Sequence, residues 1–254
     1  MLIALLMSLI FGNGSESEFM PLVHNIEKEI KQNITEESRK DTLLLIISGY
    51  EKTIKEYNKK KKKSKKIMNK AGSDRAVSSD ELLQIYDDYY LIRNQQLTLL
   101  IDYSILFKEQ ITDEELALLY RKTLDITTKE QKQNEKTEDK AEDKFNKVFE
   151  DIDQIIAKHI SDTTKIKTVS ESLVEFKSTI YAYVEEERDL EVTRKNLVNK
   201  KELNRNEIEE LFKKTTQLRN KASRDFAKLR EELIRNTNQK EWKAINKELE
   251  VFTK

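Results

Sequence analysis

The sequence predicts an all-α protein, and three observations support this prediction. Charged residues make up 37% of the 254 residues, and the chain contains only four glycines and one proline, so helix formers dominate and turn formers are scarce. Apolar residues recur at alternating steps of three and four, which is the spacing of a coiled-coil seam. Because this pattern occurs twice, we expect two tandem antiparallel helical hairpins with short flanking helices and an internal duplication.

The two copies align without a gap when the chain is shifted by 126 residues. Many apolar positions keep their character, and several residues are identical in both copies. The identical pairs include Phe19 with Phe145, Ile26 with Ile152, Ile30 with Ile156, Ile34 with Ile160, Tyr57 with Tyr183 and Glu115 with Glu241. Shared residues therefore describe the scaffold, and a specific activity is expected to belong to residues that only one copy carries.

The first 11 residues, MLIALLMSLIF, form an apolar run of the length found in the hydrophobic part of a signal peptide. The run is too short to span a bilayer, which requires roughly 20 apolar residues. Gly12 and Gly14 follow it and fit a cleavage site. We therefore interpret residues 1–15 as a cleaved signal peptide and expect an exported, periplasmic or secreted protein. An uncleaved anchor and a buried N-terminal helix are the alternatives.

The first repeat, residues 19–123, is predicted to begin with two helices. A short helix runs from about Pro21 to Asn33, because proline lacks the N–H that the first helical turn leaves unused. A long helix runs from about Glu36 to Ala71, and Gly72 is its expected C-cap. The apolar seam of the long helix consists of Leu43, Ile47, Tyr50, Ile54 and Tyr57.

Two further helices complete the first repeat. The third helix is predicted to start at Ser78 to Asp80, whose residue types are favoured at N-caps, and to end near Lys108. The fourth helix is predicted to start at Thr112, because Thr112 and Glu115 have the spacing of a capping box. In a capping box each of the two side chains bonds the backbone N–H of the other residue.

The second repeat, residues 145–254, follows a charged linker at 124–144 that is either an exposed helix or a flexible tether. Asn238 and Glu241 repeat the capping-box spacing of the first repeat. The sequence leaves open whether the two repeats pack together or stand apart on the linker. The helices of this half are predicted at about Asp143 to Lys158, Thr164 to Lys200, Asn204 to Arg235, and from Asn238 onward.

The two long helices of each repeat are expected to pair as an antiparallel hairpin, which places a tyrosine of one helix level with an Arg-Asn pair of the other. In both repeats the arginine lies inside an apolar stripe. We interpret it as a structural pin whose guanidinium bonds a tyrosine hydroxyl, a carbonyl or a carboxylate. The alternative is an anion or ligand site between the helices. The predicted register residues are Tyr57, Arg93, Asn94, Tyr183, Arg219 and Asn220.

The sequence lacks the motifs of common catalytic sites. Cysteine is absent, which excludes disulfides and thiolate chemistry. His24 and His159 occur in no zinc or di-iron motif, and no glycine-rich phosphate loop is present. The carboxylate clusters Asp87–Asp88 and Glu185–Glu187 do not recur in the other repeat, so we interpret them as solvated helix faces. We therefore expect no enzyme activity, no metal and no cofactor.

A dense run of lysines occupies the second half of the long helix in the first repeat. The lysines fit an anionic membrane surface or an acidic polymer, and the alternative is a highly soluble helix end. Nucleic acid is disfavoured as a partner because no aromatic residues are interleaved with the lysines. The second repeat has Glu185 to Arg188 at this place. We call this set the lysine patch: Lys59, Lys60, Lys61, Lys62, Lys63, Lys65, Lys66 and Lys70.

The starts of the fourth helices also resemble a known family. The segments from Ile111 to Glu115 and from Thr237 to Glu241 are similar to the Leu-Thr-x-x-Gln signature of small all-helical periplasmic stress proteins of the Spy type. Both segments differ from the signature at its first and last positions, where glutamate replaces the final glutamine. The resemblance implies an exported, ATP-independent chaperone or a sensor of envelope stress.

The sequence thus favours a non-enzymatic, exported interaction protein of the cell envelope that acts on a protein partner as a chaperone-like or adaptor module. The first alternative is a protein that binds anionic membranes or polymers through the lysine patch. The second alternative is an intracellular coiled-coil scaffold, which requires that the N-terminal segment is retained. Self-association as a homo-oligomer is compatible with all three functions.

Overall fold

The computed structural model of the protein describes residues 23–118, 146–199, 202 and 204–249. Within these ranges the chain is α-helical with short connections and contains no strand, so the predicted all-α fold class is confirmed. The predicted signal peptide at 1–15 and the predicted linker at 124–144 lie outside the described residues.

Eight helices lie in the described ranges, four in each half. The bounds of the two long helices of the second half fall 126 residues after those of the first half, as at Glu37 and Thr163. The duplication itself stays a prediction from the sequence. The helices are α1 (Val23–Asn33), α2 (Glu37–Ser73), α3 (Ser79–Gln110), α4 (113–118), α5 (146–159), α6 (Thr163–Asn199), α7 (Arg205–Asn236) and α8 (Gln239–Leu249).

The helix starts confirm the two capping boxes predicted at Thr112 and Asn238, and they show a third at Ser78, where the sequence predicted only an N-cap. At the start of α3 the Ser78 hydroxyl accepts a bond from the Glu81 N–H, and the Glu81 carboxylate accepts one from the Ser78 N–H at 2.8 Å. These bonds satisfy N–H groups that have no partner inside the helix. The same reciprocal bonds join Thr112 with Glu115 at α4 and Asn238 with Glu241 at α8.

One predicted helix end is wrong. Gly72 was expected to cap α2, but the helix continues to Ser73, and the C-cap is Asp74, whose N–H donates to the Lys70 carbonyl at 3.1 Å. Gly72 is a buried residue of the last helical turn. A glycine cap is not needed because an arginine of the other half binds the carbonyls at this end, as described below.

Each half forms a hairpin in which α2 packs along α3, and α6 along α7. In the first half the Tyr57 and Tyr89 hydroxyls are 3.1 Å apart, while Gly49 lies against the Tyr103 ring. Later residues of α2 therefore meet earlier residues of α3, which makes the pair antiparallel. In the second half the corresponding contacts join Phe176 with Phe226 and Glu187 with Arg219.

The two hairpins pack together through α3 and α7, which form the centre of the molecule with α2 and α6 flanking them. The largest hydrophobic core contains residues from both halves, such as Tyr86 and Phe226. The sequence had left the packing of the halves open, and the structure shows one bundle. Antiparallel contacts between α3 and α7 join Ser79 with Ala227, Tyr90 with Ser223, Asn94 with Thr216 and Asp102 with Arg205.

Candidate interaction surface

The two arginines that the sequence placed inside apolar stripes are buried beside the contact between α3 and α7. Arg93 is 2% exposed and Arg219 is 0% exposed. Tyr90 lies next to both, and its hydroxyl is 2.8 Å from the Ser223 hydroxyl. Burial raises the pKa of Tyr90 to about 12, and the two nearby guanidinium charges only partly oppose this rise. The arginines therefore belong to the junction of the two halves as well as to their own hairpins.

The tyrosines of the predicted register have different hydrogen bonds in the two halves. Tyr57 shares a hydrogen bond with Tyr89, which lies one helical turn before Arg93. Tyr183 donates to the Asp225 carboxylate at 2.8 Å. Burial, together with this hydrogen bond, raises the pKa of Tyr183 to about 12. The shared tyrosine position thus uses a different partner in each hairpin.

The two asparagines of the register also differ in their surroundings. The Asn94 amide oxygen accepts a hydrogen bond from the Thr216 hydroxyl at 3.2 Å, so Asn94 contributes to the contact between α3 and α7. Asn220 is half-buried on α7. Only Asn94 therefore has a described hydrogen bond that crosses between the halves.

The interpretation of Glu185–Glu187 as a solvated cluster is wrong for Glu187. Glu187 is buried, and its carboxylate accepts a hydrogen bond from the Arg219 guanidinium at 3.3 Å. A carboxylate beside a buried arginine is expected physically, because an uncompensated charge in the interior is costly. The first half has Lys61 at the corresponding position, where its ammonium lies 5.7 Å from the Tyr57 ring.

A second arginine site at the junction of the halves was missed from the sequence. Arg230 of α7 is buried, and its guanidinium donates to the carbonyls of Gly72 and Val77, both at 2.9 Å, and to that of Asp74. The guanidinium also lies 5.7 Å from the Trp242 ring. Burial lowers the pKa of Arg230. One side chain of the second half thus caps the end of α2 in the first half.

The first half returns this contact at the end of α7. Arg75 donates to the Ile234 carbonyl at 2.6 Å and to the Thr237 carbonyl. In the other direction, the Trp242 indole of the second half donates to the Ser73 carbonyl at the end of α2 at 3.1 Å. We call Arg75, Arg230 and Trp242 the arginine junction. The sequence does contain a sign of this site. Arg230 is a charged residue among the regularly spaced apolar residues of α7, and the first half has the small Ser104 at the corresponding position.

The lysine patch faces solvent along the second half of α2. Six of its eight lysines are exposed, and Lys61 and Lys65 are half-buried. Partial burial lowers the pKa of Lys65. The structure therefore brings the predicted patch residues together on one helix, where their charges are available to an anionic surface.

An open cleft of about 300 Å³ lies between α6 and α7. In the first half the Tyr103 ring fills the corresponding space above Gly49, whereas the second half has Leu229 and Glu175 at these positions. Three of its carboxylates already have partners, since Asp225 accepts from Tyr183 and Lys228, and Glu231 and Glu232 accept from Arg235. Within the described ranges no group of histidines and carboxylates is placed to hold a metal ion. The cleft lining consists of Ser172, Glu175, Phe176, Thr179, Asp225, Lys228, Leu229, Glu231 and Glu232.

A row of exposed leucines on α3 is the most distinctive surface of the first half. Leu91, Leu99 and Leu106 are 58%, 44% and 46% exposed, and steps of eight and seven place them on one face of the helix. We call these three residues the leucine face. The corresponding residues of α7 are polar, namely Gln217, Asp225 and Glu232. This surface was not predicted from the sequence, although the 126-residue offset aligns the three leucines with these polar residues.

Comparisons with protein-family models, with curated proteins and with solved structures found no significant match. Among the helices described here, none combines the length and the apolar character that crossing a bilayer requires.

Proposed function

We propose that the protein is a non-enzymatic interaction protein that binds another protein through the leucine face of α3. The observation that carries the proposal is the exposure of Leu91, Leu99 and Leu106 on one helix face. Single exposed leucines are ordinary, whereas several exposed leucines on one face of a helix are a common feature of helix-binding sites. Covering the exposed parts of three leucines contributes on the order of 2–4 kcal/mol, which suits a reversible complex.

The comparison between the halves supports a functional origin for the leucine face. The two halves have long helices of equal length, 37 and 32 residues in each, so the scaffold does not require leucine at these positions. The second half carries polar or acidic residues at all three positions and packs in the same hairpin. Apolar residues that cost solubility and add little to packing are explained most simply by a partner.

The proposal includes export to the cell envelope, where the protein acts as a chaperone-like or adaptor module. The apolar run at residues 1–11 and the Spy-type resemblance near Thr112 and Thr237 support this part. Mass spectrometry of the mature protein tests it, and we expect a new N-terminus near residue 15. A retained Met1 would favour the intracellular coiled-coil scaffold instead.

The chaperone form of the proposal is tested by light scattering of an aggregating, chemically denatured client protein. We expect the wild-type protein to delay aggregation and the triple variant Leu91→Ser/Leu99→Ser/Leu106→Ser to lose most of this effect. The matched control is Val174→Ser/Val192→Ser, since both valines are exposed on α6. No delay by the wild type, or equal losses in the triple variant and the control, would contradict the chaperone form.

Binding to anionic membranes through the lysine patch is the second candidate function. The supporting observation is that most lysines of the patch are exposed, and each lysine near an anionic surface contributes about 1 kcal/mol at low salt. Co-sedimentation with phosphatidylserine-containing vesicles tests it. We expect binding that weakens steeply with salt and is lost in Lys59→Gln/Lys62→Gln/Lys66→Gln, whereas no binding at low salt excludes this function.

A further inference from the structure

All charged side chains of α3 that reach solvent are acidic. The helix contains two basic residues, Arg93 and Lys108, and both are buried. The surface of α3 therefore offers negative charge without a neutralising cation on the same helix. The carboxylates are Asp80, Glu81, Asp87, Asp88, Asp102 and Glu109.

Three of these carboxylates flank the leucine face directly. Residues three apart in a helix lie on the same side, so each leucine of the face has an acidic neighbour. Asp102 also forms an ion pair with Arg205 of α7, and Asp88 accepts a hydrogen bond from the Gln84 amide at 3.0 Å. The neighbouring pairs are Asp88 with Leu91, Leu99 with Asp102, and Leu106 with Glu109.

The second half carries the opposite charge at the same three positions. Lys214, Lys228 and Arg235 of α7 correspond to Asp88, Asp102 and Glu109 of α3 at the 126-residue offset, and all three basic residues are exposed. The hairpin scaffold thus accepts either sign of charge on this face. The combination of leucines with acids on α3 is therefore a specific property of the first half.

We propose that the leucine face binds an amphipathic helix with basic flanks, an inference that rests on the proposed function. Leu91 and Leu106 are 15 positions apart, so the leucine face spans about 22 Å along α3, which matches a partner helix of about four turns. The partner's apolar stripe covers the leucines, and its Lys or Arg side chains meet the flanking carboxylates.

The partner belongs to a different protein rather than to a second copy of this chain. The most strongly basic segment of the chain is the lysine patch at 59–70 of α2, and within this segment Ile67 is the only exposed large apolar residue. One isoleucine does not form an apolar stripe. The basic face of α7 has Gln217, Asp225 and Glu232 where a complementary stripe would need apolar residues.

Fluorescence anisotropy of two labelled peptides with the full-length protein tests the inference. Both peptides have about 18 residues with the same heptad pattern of leucines, and their polar positions are all lysine in one and all glutamate in the other. We expect the leucine–lysine peptide to bind at least roughly tenfold more tightly than the leucine–glutamate peptide at moderate salt.

Three variants assign this binding to the proposed surface. Leu91→Ser/Leu99→Ser/Leu106→Ser is expected to abolish binding, and Asp88→Asn/Glu109→Gln to weaken it roughly fivefold and reduce its salt dependence. Glu56→Gln/Glu150→Gln is the matched control, because it removes two exposed carboxylates from other helices. This control is expected to bind the peptide as the wild type does.

The possible results separate failure of the inference from failure of the proposed function. Equal binding of both peptides, lost in the triple leucine variant, overturns the basic partner but supports a leucine docking face. Binding that survives in the triple variant, or falls equally in the control, overturns the inference as non-specific charge attraction. A wild-type dimer that the triple variant converts to a monomer, as measured by sedimentation, overturns it in favour of a second copy. Absence of any peptide binding overturns the inference, and an additional failure to delay client aggregation removes the chaperone form of the proposed function.

Discussion

Arg230 shows how a single residue stabilises the end of a helix in another part of the chain. The last carbonyls of α2 have no partners inside the helix, and a glycine cap usually satisfies some of them. Here the guanidinium of Arg230 donates to three carbonyls around this end and lies beside the Trp242 ring. The charge-assisted bonds compensate for the burial of a cation.

Replacement of Arg230 by alanine is predicted to destabilise the protein by about 2–4 kcal/mol, because three carbonyls, the buried one of Gly72 among them, lose their donor and a cavity forms beside Trp242. Urea unfolding monitored by circular dichroism measures this loss. The control is Arg235→Ala, which removes two surface pairs, with Glu231 and Glu232, and is expected to cost less than about 0.5 kcal/mol. Equal losses in both variants would show that Arg230 does not act as a cap.

Lys108 makes stability depend on pH in the alkaline range. Burial lowers the pKa of Lys108 to about 8, below the ordinary value of 10.5. Between these two values the folded protein has lost the proton and the unfolded chain still binds it, so stability rises with pH. Above about pH 10 the trend reverses, because tyrosines ionise in the unfolded chain while Tyr90 and Tyr183, with a pKa of about 12, stay neutral in the fold.

The predicted result is an increase in unfolding free energy on the order of 1–3 kcal/mol from pH 8 to pH 10, and Lys108→Met should remove most of it. Urea unfolding at several pH values in this range measures the effect. Lys66→Met serves as the control because Lys66 is exposed on α2. A Lys108→Met profile that keeps the wild-type slope would assign the pH dependence to other groups.

At the scale of helix pairs, Gly49 allows α2 and α3 to pack around an aromatic ring. A Cβ atom added at Gly49 would lie 2.6 Å from Cε1 of Tyr103, well inside van der Waals contact. In the second half the larger Glu175 replaces Gly49, and the smaller Leu229 replaces Tyr103. Gly49→Ala is therefore predicted to destabilise the protein by about 1–3 kcal/mol.

The other helical glycine provides the matched control for this prediction. A Cβ atom at Gly72 meets nothing within 4 Å, so Gly72→Ala is predicted to stabilise the protein by about 0.5 kcal/mol through a higher helix propensity. The double variant Gly49→Ala/Tyr103→Leu should recover part of the stability lost in Gly49→Ala, since the ring is removed. Urea unfolding measures all three variants, and a neutral Gly49→Ala would show that the Tyr103 ring moves away without cost.

The helix boundaries were predictable from the sequence because caps are local. Ser78, Thr112 and Asn238 each act on backbone groups within three residues, and their structures follow the sequence reading. The predicted cap at Gly72 was wrong because the end of α2 is bound by Arg230, whose guanidinium donates to the Gly72 carbonyl from 158 residues away in the chain. A local rule contains no information about such a donor.

The faces of α3 were not predictable for a related reason. Apolar residues lie on several sides of this helix, so periodicity alone does not separate the buried Leu97 and Leu100 from the exposed Leu91 and Leu99. The separation depends on which side contacts α7, and that contact uses small or polar groups such as Ser223 and Asn94. Only the comparison with the polar residues of α7 distinguishes the leucine face in the sequence.

At the scale of the whole molecule, the two halves share one hydrophobic core, and an arginine of each half binds carbonyls at the end of a helix in the other half. Met68 and Tyr86 of the first half belong to the same core as Ile152 and Phe226 of the second. The arginine junction adds hydrogen bonds in both directions between the halves. Neither half keeps its full core or its helix ends without the other, so the molecule should fold as one cooperative unit.

This cooperativity is predicted to give one unfolding transition. Trp242 is the only tryptophan of the chain and lies in the second half beside Ser73 of the first, so its fluorescence reports on the junction. We expect urea curves from fluorescence and from circular dichroism at 222 nm, a standard helix wavelength, to coincide. Arg75→Ala removes the first half's bonds to Ile234 and Thr237 and should shift both curves together to lower urea. Fluorescence that changes before the helix signal in the wild type would mean that the halves separate while their helices remain folded, because only the junction would then have opened.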